Sequence, residues 1–161
     1  MDRVDVSICV NGRDERRTVE PRRRLGDFLR EDLGLKGTHL ACGQGACGAC
    51  TVIVDGKPRL SCLTLAAQAD GSQVRTVEGL ASGGELSVLQ ACFQRAHALQ
   101  CGYCTPGFLM ALTSLLECNP KATDEEIEEV IDGLICRCTG YLPILQAAKT
   151  ARDILSRLTP E

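Results

Sequence analysis

The sequence predicts an α+β protein whose two kinds of structure are segregated along the chain. Residues 1–78 read as strands with one helix, and residues 85–161 read as helices alone. Three observations carry this. In the first half apolar residues alternate with polar ones, and Asn11-Gly12 and Asp55-Gly56 punctuate the runs; this is the period and the turn chemistry of paired strands. In the second half apolar residues recur at three- and four-residue spacing, the period of a helix face. Between the two, Glu78 to Glu85 carries Gly79, Gly83 and Gly84 and reads as a linker.

Taken in order, Val4, Val6, Ile8 and Val10 alternate with Asp5, Ser7 and Cys9, a half-buried strand. Asn11-Gly12 turns the chain, and Arg16 to Val19 is the returning strand. Arg22-Arg23-Arg24 is a solvated lead-in to a helix on which Leu25, Phe28, Leu29 and Leu33 share a face. Gly34 stands where a C-cap glycine belongs. Thr51 to Val54 is a strand, Asp55-Gly56 a second turn, and Lys57 to Leu63 a returning strand that carries Cys62. Val74 to Val77 is a last short strand.

Beyond the linker, Ser87 is the N-cap of a helix bearing Val88, Cys92, Phe93, Ala96 and Leu99. Pro106 suits the first turn of a second helix, with Phe108, Leu109, Leu112, Leu115 and Leu116 inward. Asn119-Pro120 ends it. Thr123 with Glu126 forms a capping box for a third helix containing Ile127, Val130, Ile131 and Leu134. Pro143 opens a fourth, with Ile144, Ala147, Ala148, Ala151, Ile154, Leu155 and Leu158 on one face. Four such helices with small alanine contacts suggest a compact four-helix bundle.

Eleven cysteines in 161 residues are too many for chance packing. Cys42, Cys47 and Cys50 have Cys-x4-Cys-x2-Cys spacing, with Cys62 further on. That is the pattern of a plant-type [2Fe–2S] ferredoxin loop. Four thiolates must converge on two irons from one tight curl and one outside segment. Gly43, Gly45 and Gly48 allow positive φ, and successive N–H groups in such a curl make an anion-binding nest. The first half is therefore compatible with a β-grasp ferredoxin domain. Structural zinc normally shows two Cys-x2–4-Cys knuckles; zinc and a disulfide framework remain the rival readings. The second half carries Cys101-x2-Cys104 and Cys136-x-Cys138, each pair between two helices. By itself this group fits zinc or iron–sulfur equally.

The two groups together resemble a known family. Cys101-Gly102-Tyr103-Cys104-Thr105-Pro106-Gly107 and Cys136-Arg137-Cys138-Thr139-Gly140-Tyr141, downstream of Cys42–Cys62, are similar to the iron–sulfur subunit of the xanthine oxidase family of molybdenum hydroxylases. The resemblance covers nearly the whole chain. It implies a β-grasp domain over 1–78 and a four-helix domain over 85–161, each holding one [2Fe–2S] cluster. It implies that Cys42, Cys47, Cys50 and Cys62 hold one cluster and Cys101, Cys104, Cys136 and Cys138 the other. It also implies a molybdopterin-binding large subunit, an FAD-binding medium subunit and a heterotrimer or dimer of heterotrimers. Gln100 and Cys138 would lie against the molybdopterin. Electrons would pass from molybdenum to the Cys101–Cys138 set, then to the Cys42–Cys62 set, then to FAD.

Other readings bound this one. A free-standing ferredoxin-like shuttle would need only the first half, and a zinc-stabilised interaction module would use only the second cysteine group. Net charge is −3 with scattered basic residues, so nothing argues for nucleic acid. Met1 to Asp5 begins a polar-alternating strand with no apolar leader, and no run reaches membrane-spanning length. A reducing, cytoplasmic setting is the expectation. Cys9, Cys92 and Cys118 are expected to be small buried hydrophobes. His39 and His97 are expected to be structural or surface residues, and Tyr103 to pack over a cluster edge.

Overall fold

The computed structural model describes residues 3–158. Strand β1 (Val4–Val10) pairs antiparallel with β2 (Arg13–Val19). Both residues of the intervening turn, Asn11 at φ 50 and Gly12 at φ 78, are left-handed, as a two-residue hairpin matching strand twist requires. Helix α1 is a single turn, Leu25–Asp27, that widens into a π-helical turn over Phe28–Asp32. It drops Leu25, Phe28 and Leu29 onto the sheet.

Strands β3 (Thr51–Val54) and β4 (Lys57–Leu60) form a second hairpin through Asp55-Gly56. β5 (Gln73–Arg75) runs parallel to β1 and antiparallel to β3. The sheet order is β2-β1-β5-β3-β4. Its core is Val6, Ile8, Val10, Val19, Val52 and Val74 with the α1 side chains. The returning strand is shorter than the Lys57–Leu63 expectation. After Leu60 the chain turns, so Cys62 is delivered from a turn and not from the sheet.

Four helices follow: α2 (Val88–Arg95), α3 (Thr105–Cys118), α4 (Asp124–Asp132) and α5 (Leu142–Leu158). Both expected N-caps form. Ser87 Oγ accepts from the Gln90 amide at 3.3 Å while Gln90 accepts from the Ser87 amide at 2.9 Å. Thr123 and Glu126 do the same at 3.2 and 2.7 Å. Each pair satisfies two amides that the first turn would otherwise leave unpaired. A second core gathers Leu89, Phe93, Phe108, Leu112, Leu116, Ile127, Ile131, Ile144 and the α5 alanines.

α3 bridges the sheet and the other helices. It packs on β3 and β4 as well as on α2, α4 and α5, which is why Gly107 to Leu112 are buried without a break. α2 is shorter than its periodicity suggests. It ends at Arg95, and His97 at φ 51 turns the chain out of the helix, leaving Leu99 and Gln100 exposed.

Candidate metal centres

The first cysteine group sits on the irregular loop between α1 and β3. Gly43, Gly45 and Gly48 all have positive φ, at 65, 81 and 72°, so the loop curls as its glycines require. The curl aims backbone donors inward. The Gln44 amide, the Cys47 thiol and the Cys47 and Ala46 amides hydrogen-bond Cys42 and hold its thiol down to about 6 against the opposing pull of burial. That is a nest for a negatively charged sulfur. Cys50 and Cys62 are buried side by side. Burial first, then the neighbouring Cys62 thiol, pushes Cys50 up to about 11. Such a thiol stays protonated at neutral pH until a cation takes the place of its proton.

The second group lies on two loops, one entering α3 and one entering α5. Cys101 and Cys138 are exposed, with their sulfurs 3.6 Å apart. Cys104 is half-buried and packs against buried Cys136. Burial, reinforced by Cys136, pushes Cys104 up to about 12. Cys136 goes the other way: burial would raise it, but the Thr139 hydroxyl and amide, the Cys138 amide and Cys104 together outweigh burial and lower it. Thr105, next to Cys104, has a buried hydroxyl oxygen with no hydrogen-bond partner, a donor left over for a sulfur-rich group.

Within each set the cysteines neighbour one another: Cys42 with Cys47 and Cys50 with Cys62 in the first, and Cys101 with Cys138 and Cys104 with Cys136 in the second, where Cys101 also acts on Cys104 and Cys136 on Cys138. Among the described residues, no three His, Cys, Asp or Glu side chains converge tightly enough to hold one metal ion. Four cysteines per set would supply the four thiolates a [2Fe–2S] cluster takes.

The two groups touch through backbone. The Ile135 amide donates to the Cys47 carbonyl at 3.0 Å. A Cβ on Gly107 would lie 2.5 Å from the Gly48 carbonyl oxygen, and one on Gly48 would lie 2.7 Å from Leu134 Cγ. Glycine at both positions is what lets the loops approach this closely. A side-chain link joins them too. His39 stacks on Tyr103 with ring centroids 4.6 Å apart, and the Tyr103 hydroxyl donates to the Leu40 carbonyl at 2.8 Å. Tyr103 therefore braces the entry to the first loop, and nothing in the local spacing announced this contact.

Comparison with known proteins follows the same division. A family model described as a 2Fe-2S iron-sulfur cluster binding domain matches residues 8–81, and one described as a [2Fe-2S] binding domain matches residues 76–149. The nicotine 6-hydroxylase small subunit of Paenarthrobacter nicotinovorans is 54% identical, covering 93% of this chain and 90% of that one. The nicotinate dehydrogenase small FeS subunit of Eubacterium barkeri is 47% identical, covering 94% and 96%. The chain belongs to the iron–sulfur small subunits of the xanthine oxidase family of molybdenum hydroxylases. Its fold matches quinoline 2-oxidoreductase from Pseudomonas putida 86 with a TM-score of 0.91 at 46% identity, covering 96% of this chain and 97% of that chain.

This small subunit carries two [2Fe–2S] clusters and serves electron transfer within a multi-subunit oxidoreductase. No described helix is long and apolar enough to cross a membrane. Gln100 and Cys138 are both exposed. Gln100 lies in the segment after α2 and not at the helix end that its spacing suggested. Of the remaining cysteines, Cys92 is buried as expected, Cys9 is half-buried, and Cys118 is exposed at the end of α3. Cys118 departs from the buried expectation because it is the last residue of α3, two positions beyond the helix's last buried residue, Leu116.

Proposed function

We propose that Cys42, Cys47, Cys50 and Cys62 hold one [2Fe–2S] cluster, and Cys101, Cys104, Cys136 and Cys138 the other. The observation that carries this is that one 2Fe-2S domain model matches the stretch holding each set, with cysteines of each set lying beside one another. When bound, the clusters supply two one-electron relay sites, taking electrons from molybdopterin on a large subunit and passing them to FAD on a medium subunit. The Cys101–Cys138 set belongs on the molybdopterin side. Its outer pair and the adjoining Gln100, Leu99, Tyr103 and Leu142 are exposed in the chain alone, a half-apolar surface suited to burial by a partner. There Gln100 offers two donors and an acceptor to the edge of a pterin, and Cys138 stands beside it.

We assign residues 1–78 to a β-grasp ferredoxin domain and 85–161 to a four-helix bundle; the two separate cores support this division. A heterotrimer, or a dimer of heterotrimers, in the cytoplasm completes the reading.

The test is metal content together with ligand substitution in the purified complex. Four irons and four acid-labile sulfides per chain are expected, with two distinguishable EPR signals on reduction. Cys47→Ser should remove one signal and Cys104→Ser the other, while Cys92→Ala should leave both. Stoichiometric zinc with two irons, or loss of a cluster in Cys92→Ala, would overturn the assignment.

A further inference from the structure

Cys136 is held by contacts from three neighbouring residues of its own loop. It is buried at 8% exposure, and its sulfur lies 3.0 Å from Thr139 Oγ1. The Thr139 amide donates to the same sulfur at 3.4 Å. The Tyr141 amide donates to Thr139 Oγ1 at 3.2 Å, and the Tyr141 hydroxyl accepts from the Cys136 amide at 2.9 Å. These contacts close a ring that runs Cys136, Thr139, Tyr141 and back to Cys136. Tyr141 holds φ 68 to complete it, a left-handed conformation that a bulky residue adopts only when its surroundings impose it. Its ring is fixed edge-on against buried Phe108, centroids 6.3 Å apart.

The direction of the Thr139 bond follows from the chemistry. A sulfur that ligates iron is a thiolate and carries no proton. The Thr139 hydroxyl, which already accepts the Tyr141 amide, must then donate to Cys136 Sγ. Its proton is therefore oriented and not free to rotate toward water.

We propose that Thr139 is a positioning residue that sets the reduction potential of the Cys101/Cys104/Cys136/Cys138 site through its hydroxyl bond to Cys136, with Tyr141 fixing that hydroxyl. The proposal rests on the ligand assignment given above. One electron enters this site from the molybdenum side and one leaves to the other site. No bond forms or breaks and no proton moves. The added electron increases negative charge on the ligating sulfurs, and a hydroxyl already aimed at one of them stabilises the reduced form more than the oxidised form. Hydrogen bonds to cluster sulfurs raise the potential in this way. Thr139 thereby makes the helical-half site a better acceptor.

The experiment is an EPR-monitored redox titration of the intact complex carrying Thr139→Val, Thr139→Ala or Thr139→Ser. Val and Ala should lower the potential of one signal enough to shift the electron partition between the two sites severalfold toward the other site; a tenfold shift corresponds to about 59 mV for one electron. Ser retains the hydroxyl and should restore the wild-type value. The second signal should not move. The perturbed signal must be the one removed by Cys104→Ser. If Cys104→Ser removes the other signal, the ligand assignment fails and not the tuning. Unchanged potentials in Val and Ala with both clusters assembled would overturn the proposal. Failure of both variants to assemble the site, with Ser assembling normally, would also overturn it in favour of a purely structural hydroxyl.

Discussion

Replacing Gly107 by alanine tests whether the two cysteine loops depend on one another. The new methyl would meet the Gly48 carbonyl oxygen at 2.5 Å and the Ala49 Cα at 3.0 Å. Both are backbone atoms, so no side-chain rotation can relieve the contact. Either the first turn of α3 lifts or the Cys47–Cys50 loop shifts outward. Overpacking of this kind costs roughly 1–3 kcal/mol. Alanine returns up to about 1 kcal/mol through helix propensity, less in a first turn. The net loss is roughly 1–2 kcal/mol, which at this chain length lowers the unfolding midpoint by about 2–8 °C.

The spectroscopic prediction is more particular. Gly107 lies three residues from Cys104, and Gly48 lies between Cys47 and Cys50. One methyl should therefore broaden or shift both EPR signals at once. The assay compares thermal unfolding at a fixed scan rate, iron content and EPR of the complex with those of a Gly133→Ala control. A Cβ on Gly133 would meet nothing nearer than 3.4 Å. An unchanged midpoint with both signals unaltered in Gly107→Ala would refute the argument that the loops are locked by backbone approach.

Two further outcomes are expected. Gln100→Ala should leave both clusters assembled but slow their reduction by substrate in rapid mixing of the reconstituted complex, because stranded pterin groups would cost roughly 1–3 kcal/mol if buried; unchanged rates and unchanged assembly would return Gln100 to the ordinary surface. Asp124 accepts from Lys149 at 2.9 Å and Arg152 at 2.6 Å, and these partners hold its carboxyl below the usual range. A carboxyl whose folded value is depressed contributes stability at neutral pH that is lost as pH falls through that value. Asp124→Asn should therefore lower stability near neutral pH and flatten its decline below about pH 4. Parallel acid-denaturation curves for the two proteins would contradict this.

Much of the framework was legible because short-range chemistry dictates it. Asn11-Gly12 and Asp55-Gly56 can supply consecutive left-handed residues, and both do. Ser87 with Gln90, and Thr123 with Glu126, carry complementary donors and acceptors at capping spacing, and both boxes close. The cysteine spacing pointed to the two stretches that the 2Fe-2S domain models match. What remained hidden depends on distant partners. The wide turn at Phe28–Asp32 exists because α1 must lay Phe28 and Leu29 on the sheet, a demand the helical period cannot express. The early end of α2 at Arg95 and the turn that carries Cys62 away from β4 have no local signal. The fit of Gly107 onto Gly48 joins residues 59 positions apart, and a lone glycine in a first turn does not reveal its neighbour. The Thr139–Tyr141 ring was concealed within a motif whose cysteines drew the attention.

The double duty of α3 bears on how this molecule opens. Its apolar face completes the helical core, while Ser114 donates to the Gly56 carbonyl at 3.1 Å and Glu117 pairs with Arg75 on β5. A segment held by both the sheet and the other helices cannot leave one without leaving the other. Sub-global openings that expose a single half are therefore penalised, and the chain should unfold as one cooperative unit despite having two hydrophobic centres. Amide hydrogens along Phe108 to Leu116 should be the last in the protein to exchange with solvent, opening only with the whole molecule.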